Sequence, residues 1–160
     1  MSTKLVAWFS VGGVTAKVAR EIAALESADC FEIRPKAPYT PKDLDYTDRQ
    51  SRSTLEMSDP NCRPATVGSV ENMAQYDLVF VGFPIWWGRE PSVVDTFLTV
   101  YDFSGKRIVP FCTSGGSGIG KTAERIQGLV GQGARVDAGK RLGGEIQEAD
   151  LKLWTEGLKL

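Results

Sequence analysis

Residues 78–88 read LVFVGFPIWWG, and this stretch predicts both a buried strand and a binding surface. Residues 78–83 are apolar without alternation, which is typical of a strand buried on both faces of a parallel sheet. Trp86 and Trp87 follow at the end of that strand. Two indoles there offer a flat apolar surface on which a planar ligand can stack. The alternative is that both rings only plug the sheet end against residues 35–67.

Similar apolar runs recur at 5–9 and 108–112, with a shorter one at 30–33. Stripes at helical spacing lie among them: Val18, Ile22 and Leu25; Val94, Phe97, Leu98 and Tyr101 after Pro91; Ile119, Ala123, Ile126 and Val130; and Leu151, Trp154 and Leu158. Strands that alternate with helices predict a doubly wound α/β sheet, here as one domain over residues 1–160. Pro110 removes one ladder donor, which predicts a bulge or an early strand end. The proline-rich connection 35–67 predicts a long, functional loop with one short helix.

Composition narrows the classes of function. The net charge of −1 gives no footprint for nucleic acid, and no apolar stretch is long enough for a membrane span. The chain has no histidine, which argues against a triad hydrolase or a zinc enzyme and favours chemistry carried by a bound cofactor. Cys30, Cys62 and Cys112 have no paired-thiol spacing, so we expect three small buried side chains in a cytoplasmic protein.

The loop at residues 10–15 is the clearest candidate for phosphate binding. It joins the strand 5–9 to a helix, and Ser10, Gly12, Gly13, Val14 and Thr15 bring exposed amides and hydroxyls to the positive end of the helix dipole. The loop contains no Lys or Arg, so amides and hydroxyls would hold the anion. A plain strand-to-helix turn would explain the glycines equally well.

The loop after residue 112 raises a rival function. Residues 115–122 read GGSGIGKT and match the phosphate loop of nucleotide triphosphatases in full. Such an enzyme also needs an acidic metal ligand at a later strand end and several further strands, yet only 38 residues follow Thr122. We therefore attribute this match to glycine-rich composition and keep the triphosphatase as a remote alternative.

Together, these segments resemble the flavodoxin family over nearly the whole chain. Residues 10–15 look like its phosphate loop, residues 84–88 like its first flavin-contacting loop and residues 113–116 like its second. The closest branch carries Pro-Ile-Trp-Trp, Thr-Ser-Gly-Gly-Ser and a Ser-Arg pair, here Ser51-Arg52. The resemblance implies a three-layer doubly wound parallel sheet of five strands in the order 2-1-3-4-5. FMN would lie at the carboxyl ends of the strands.

The resemblance also implies the residues that hold the cofactor. They would be Ser10, Gly12, Gly13, Val14 and Thr15 at the phosphate; Pro84, Ile85, Trp86, Trp87 and Gly88 beside the isoalloxazine; and Thr113, Ser114, Gly115 and Gly116 at its pyrimidine edge. It implies an electron-transfer protein that cycles noncovalent FMN between quinone, semiquinone and hydroquinone. A carbonyl flip near Trp87-Gly88 would accompany the semiquinone, and Gly88 permits it.

The chain departs from the family pattern in ways that leave the partner open. Gly12 replaces a Thr or Ser, Val14 replaces a common Asn, and the third loop lacks the Tyr that covers the flavin in many flavodoxins. The other indole, Tyr39 or Tyr46 would cover that face instead, or it is open. Electron carriers of this family are usually strongly acidic, because charge steers them to partners. We therefore keep two hypotheses, a carrier for redox partner proteins and an NAD(P)H-dependent reductase of flavins or small quinone-type acceptors, with the carrier preferred.

Overall fold

The computed structural model describes residues 3–114, 118–142 and 148–160. Its strands are β1 (Lys4–Trp8), β2 (Asp29–Glu32), β3 (Arg34–Pro35), β4 (Thr66–Val67), β5 (Leu78–Pro84), β6 (Arg107–Thr113), β7 (Arg135–Val136) and β8 (Lys140–Arg141). Its helices are α1 (Val14–Glu26), α2 (Arg52–Ser58), α3 (Ser92–Val100), α4 (Thr122–Val130) and α5 (Glu148–Gly157). A short 3-10 helix spans Met73–Gln75. Among the helices of these described ranges, none combines the length and apolarity needed to cross a bilayer.

The main sheet is parallel and has the predicted order. Its strands run β2-β1-β5-β6, and β7 and β8 both pair with β6 along the far edge. The strand β5 buries Val79 and Val81 in one apolar cluster, and Leu78 and Phe80 in the other. One cluster includes residues of α3 and α4, and the other includes residues of α1 and α5. The three-layer prediction is therefore confirmed, with strands β1, β2, β5, β6 and the edge pair in the order 2-1-3-4-5.

The far edge contains a bulge opposite Pro110. Ile108 pairs with Val136, and Phe111 pairs with Lys140. Between these two pairs β6 advances by three residues and the edge segment by four, so the edge segment carries one extra residue. The amide N–H of Asp137 donates to the Ile108 carbonyl oxygen, so the backbone N–H and C=O groups of the even-numbered residues of β6 point towards this edge. Pro110 therefore faces the bulge without an N–H to donate, which confirms the predicted interruption.

The connection between β2 and β5 is folded. β3 and β4 form a small antiparallel ribbon, and α2 lies between them in the chain, so the expected short helix is Arg52–Ser58. The cysteine prediction was wrong in two places, because Cys30 is exposed and Cys62 is half-buried, whereas Cys112 is buried. Cys30 belongs to β2, which is an edge strand and lies at the rim of the core.

Candidate functional site

Three loops meet at the carboxyl edge of the sheet. Trp8 pairs with Gly82, and Pro84 pairs with Thr113, so the chain segments after β1, β5 and β6 leave the sheet side by side. The amide of Ile85 donates to the Thr113 carbonyl oxygen over 3.3 Å, which joins the second loop to the third. The predicted site residues from Ser10 to Ser114 are thus brought to one edge. Gly115 and Gly116 lie outside the described residues.

The loop at residues 10–13 presents the first turn of α1 to this edge. The Gly13 amide donates to the Ser10 hydroxyl oxygen over 3.1 Å, and Gly13 caps the helix with φ +89°. The first helical bond joins the Lys17 amide to the Gly13 carbonyl oxygen, so the amides of residues 14–16 precede the helical ladder. A Cβ added at Gly12 or at Gly13 would meet no atom within 4 Å. An anion can therefore approach this backbone closely.

The Thr15 side chain has a different position from the one predicted for a phosphate ligand. Its hydroxyl is buried and lies 2.7 Å from the Thr113 hydroxyl. Its amide still belongs to the open first turn of α1. Thr15 therefore offers an anion its N–H, while its hydroxyl joins the helix start to the end of β6.

Residues 86–89, called here the Trp hairpin, form a tight turn. The Trp86 amide donates to the Arg89 carbonyl oxygen over 2.9 Å, and the Arg89 amide donates back over 3.2 Å. The two central residues are both left-handed, with φ +49° at Trp87 and +78° at Gly88. Such a φ is ordinary for glycine but strained for a bulky residue. The hairpin holds Trp87 half exposed at its tip.

Trp86 is packed, in contrast to Trp87. Its ring meets Phe9 edge-on at a centroid distance of 5.5 Å and Tyr39 at 5.2 Å. Tyr39 also contacts Phe9 at 5.7 Å, so the three rings form one aromatic cluster. The structural alternative to ligand stacking therefore describes Trp86 well and Trp87 poorly.

The long connection is anchored on this aromatic cluster. The Arg52 guanidinium lies 3.9 Å from the centroid of Tyr39, and Arg52 also donates to the Glu56 carboxylate over 3.0 Å. The Tyr39 hydroxyl donates to the same carboxylate. Burial and this hydrogen bond raise the pKa of Tyr39 above its ordinary value, which keeps the donor protonated. Arg52 of the Ser51-Arg52 pair thus holds α2 against the Trp hairpin through Tyr39.

A cavity of about 400 Å³ opens between the Trp hairpin and the long connection. We call it the first cavity. Its wall on one side is Ile85, Trp86 and Trp87, and on the other side Leu44, Tyr46 and Ser53, with Val11 at the phosphate-loop end. Its size and mainly apolar walls suit a planar organic ligand. Tyr46 is 78% exposed, so the mouth reaches the protein surface.

A buried charge network lies behind the Trp hairpin. Glu90 and Asp95 are fully buried, and Arg125 donates to their carboxylates over 2.8 Å and 3.0 Å. Arg89 approaches Asp95 at 3.4 Å and also donates to the Met57 carbonyl oxygen of α2 over 3.1 Å. Burial, and a hydrogen bond that the protonated Asp95 carboxyl donates to the neighbouring Glu90 carboxylate, raise the pKa of Asp95 to about 8, against the opposing effect of the two guanidiniums. Arg89 thus ties the hairpin both to this network and to α2.

The structure adds residues that the sequence patterns missed. Leu44 and Ser53 line the first cavity without belonging to any predicted motif, and Val11 lines it without having been named as a binding residue. The only signal for Leu44 and Ser53 in the sequence was the proline-rich connection predicted to be functional, and Val11 stood within the predicted phosphate loop.

Two further predicted site residues lie at or directly after the ends of strands. Pro84 ends β5 and pairs with Thr113, so it positions the loop that follows. Ser114 accepts a hydrogen bond from the exposed Arg141 over 3.0 Å.

Comparisons with known proteins agree with this geometry. The family model described as Flavodoxin matches residues 3–158. A crystal structure of a protein assigned as a flavoprotein from Bacteroides eggerthii is 38% identical, covers 100% of this chain and 99% of its own, and has a TM-score of 0.93. A second such protein, from Bacteroides uniformis, is 38% identical, with coverage of 97% and 98% and a TM-score of 0.91.

A more distant structure shares the fold. A flavoprotein from Lactobacillus acidophilus, solved in complex with FMN, is 19% identical, with coverage of 97% and 99% and a TM-score of 0.67. No curated protein matches the chain.

Proposed function

This chain belongs to the flavodoxin family, and from that membership we propose that it is an electron-transfer protein that works with noncovalently bound FMN. The family match supports the prediction of FMN as the cofactor. The observation that carries the proposal is the first cavity, which extends from an indole-lined wall to Val11, in the loop that leads into the open first turn of α1. A planar ring system that carries a phosphate needs those two features next to each other.

The residues present fit FMN. The amides of residues 14–16 would hold its phosphate, since Gly12 and Gly13 leave the adjoining backbone open to close approach. Ile85, Trp86 and Trp87 would flank its ring system, opposite Leu44 and Tyr46. The loop at residues 10–15 has no cationic side chain, so binding of the phosphate would depend on the helix dipole and on hydrogen bonds.

Bound FMN supplies one-electron and two-electron redox chemistry. The chain's own contribution is to bind it, to orient its ring and to exclude water from one face. The apolar walls of the first cavity would disfavour negative charge on the reduced flavin. The reduction potential of bound FMN would therefore be lower than that of free FMN. Phe9 and Tyr39 pack against Trp86 and so fix the position of this indole in the cavity wall.

We propose redox partner proteins as the first choice of electron donor and acceptor, and the cytoplasm as the compartment. The near-neutral net charge of −1 leaves a second candidate, an NAD(P)H-dependent reductase of small quinone-type acceptors. The exposed Tyr46 and half-exposed Trp87 at the cavity mouth favour this second candidate, because they leave a path for a small molecule. The triphosphatase hypothesis loses its basis, because the family match covers the same glycine-rich segment.

One experiment tests the cofactor and separates the two candidates. Purified protein is reconstituted with FMN, checked by absorbance and fluorescence quenching, and mixed with NADPH in the presence and absence of a quinone. A carrier binds FMN but oxidises NADPH only slowly in both mixtures. Rapid NADPH oxidation with quinone would establish the reductase. Failure to quench added FMN would reject both flavin functions.

A further inference from the structure

A second cavity, also of about 400 Å³, lies on the β2 side of the phosphate loop. It is lined by the loop that follows β1, by the end of β2, and by the ribbon with the segment that follows β3, including Phe9, Glu32, Arg34, Lys36, Tyr39 and Val67. It shares only Val11 with the first cavity among the lining residues described. Tyr39 stands between the two, since it lines the second cavity and packs against Trp86 of the first. The second cavity is therefore a separate space that opens on the same phosphate loop.

The second cavity carries a carboxylate and a guanidinium at the carboxyl end of β2. Glu32 pairs with Trp8 in the sheet, one residue before Phe9 and two before Ser10. The Arg34 guanidinium donates to the Glu32 carboxylate over 3.1 Å, and both side chains remain partly exposed, at 66% and 39%. The Lys36 amide bonds the Ala65 carbonyl oxygen over 2.8 Å, which extends the ribbon that forms the outer wall. The backbone that carries Glu32 and Arg34 is thus fixed, and both side chains can make further hydrogen bonds.

This arrangement matches a general pattern of nucleotide recognition in doubly wound sheets. In that pattern the adenosine lies over the carboxyl end of the second strand. An acidic residue about twenty positions after the glycine loop accepts hydrogen bonds from the ribose hydroxyls, and a nearby Arg binds a 2′-phosphate. Glu32 stands twenty residues after Gly12, and Arg34 is its hydrogen-bond partner. Phe9, Pro38 and Val67 add apolar wall, which a purine ring needs.

We propose that the second cavity binds the adenosine 5′-phosphate moiety of a nucleotide. Glu32 accepts hydrogen bonds from the ribose hydroxyls, Arg34 and Lys36 bind the 5′-phosphate, and Arg34 also binds a 2′-phosphate where the nucleotide carries one. The moiety has two sources. It is the adenylate half of FAD, with the flavin half in the first cavity, or that of NAD(P)H bound beside FMN. The second source rests on FMN occupying the first cavity, as proposed above.

The test begins with FMN-loaded protein titrated with AMP by calorimetry. Wild-type protein is expected to bind AMP, and Glu32→Gln and Arg34→Ala are each expected to weaken this binding by roughly tenfold, because each removes a hydrogen bond to or from a charged group. Arg135→Ala and Glu156→Gln change exposed charges elsewhere in the chain and are expected to leave AMP affinity unchanged. FMN affinity, measured by fluorescence quenching, stays at the wild-type value in all four variants.

Two further titrations identify the source. The first titrates the apoprotein with FAD and with FMN. If Glu32→Gln weakens the binding of FAD but not that of FMN, the second cavity binds the adenylate half of FAD. The second titrates FMN-loaded protein with NADPH and with NADH. If Arg34→Ala weakens the binding of NADPH more than that of NADH, the second cavity binds the adenylate half of a nicotinamide nucleotide. Absence of AMP binding at millimolar concentration, or equal affinity in all variants, overturns the proposal. If FMN itself fails to bind, the proposed function fails instead, so the two failures are distinguishable.

Discussion

The hydroxyl oxygen of Thr15 lies 2.7 Å from that of Thr113, although 98 positions separate the two residues in the sequence. Thr15 belongs to the first turn of α1, and Thr113 is the last residue of β6. Both side chains are buried, so water does not replace either partner. This contact therefore sets the position of the phosphate loop relative to the third loop.

Thr113→Val should loosen this connection. Valine keeps the shape but leaves the buried Thr15 hydroxyl without that partner, and we expect a loss of about 1–3 kcal/mol in the free energy of unfolding. FMN binding should weaken as well, because the first turn of α1 loses its anchor. Urea denaturation of the apoprotein and FMN fluorescence titration measure the two effects.

A double variant checks the cause. Replacing both partners by valine removes both polar groups, so Thr15→Val/Thr113→Val should be more stable than the two single losses predict. Thr99→Val serves as a control, because Thr99 is an exposed helical threonine that bonds backbone carbonyls of its own helix. A double variant as unstable as the sum of the singles would contradict this account.

The two indoles should respond differently to truncation. Trp86→Ala removes a ring that packs against Phe9 and Tyr39, so we expect a loss of about 3–5 kcal/mol in apoprotein stability. Trp87→Ala removes a half-exposed ring, so stability should change little while FMN affinity falls by roughly tenfold. Trp87→Phe keeps a stacking surface and should restore most of the affinity. Equal effects of the two alanine variants on FMN binding would contradict a stacking role specific to Trp87.

Backbone strain at the tip of the Trp hairpin gives a further prediction. Trp87 has φ +49°, a conformation that costs a residue with a Cβ about 1–2 kcal/mol but costs glycine nothing. Trp87→Gly should therefore be more stable than Trp87→Ala by about 1 kcal/mol, although both variants lack the indole. Thermal unfolding of the two apoproteins measures the difference. If Trp87→Gly is the less stable of the two, the left-handed conformation is not strained.

Much of the fold and the loops could be predicted from the sequence, because their signals are local. Continuous apolar runs predicted the buried strands, and Pro110 predicted the interruption of the far edge, because each pattern lies within a few consecutive residues. The convergence of the three loops followed from parallel pairing, since parallel strands end at one edge. None of these predictions depended on contacts between distant side chains.

The parts that the sequence left open depend on distant contacts. The aromatic cluster joins Phe9, Tyr39 and Trp86, and no periodicity relates such positions. The expected roles of Cys30 and Cys62 failed because burial was inferred from residue type alone, while edge position in the sheet decided it for Cys30. Glu90 and Asp95 resemble ordinary surface acids in the sequence, yet folding buries both beside arginines.

Asp95 gives a prediction for the dependence of stability on pH. Its folded-state pKa of about 8 lies above the unfolded value of about 3.9, so the folded protein binds the extra proton between these values. Stability from this group is therefore complete below about pH 4 and is lost as pH rises towards 8. Asparagine resembles the neutral acid and does not titrate. The stability of Asp95→Asn relative to wild type should thus increase by roughly 3 kcal/mol between pH 6 and pH 9.

Urea denaturation of both proteins at several pH values between 6 and 9 measures this difference, and groups that titrate equally in both proteins cancel. Asp102→Asn is the matched control, because hydrogen bonds from Ser104 lower the pKa of the exposed Asp102 carboxyl and keep it ionised over this range. Glu90, Arg63, Arg89 and Arg125 surround Asp95 and remain in the variant. A difference that stays constant from pH 6 to pH 9 would mean that the arginines keep Asp95 ionised throughout. The network behind the Trp hairpin would then be a fixed ionic anchor rather than a group that exchanges a proton near neutral pH.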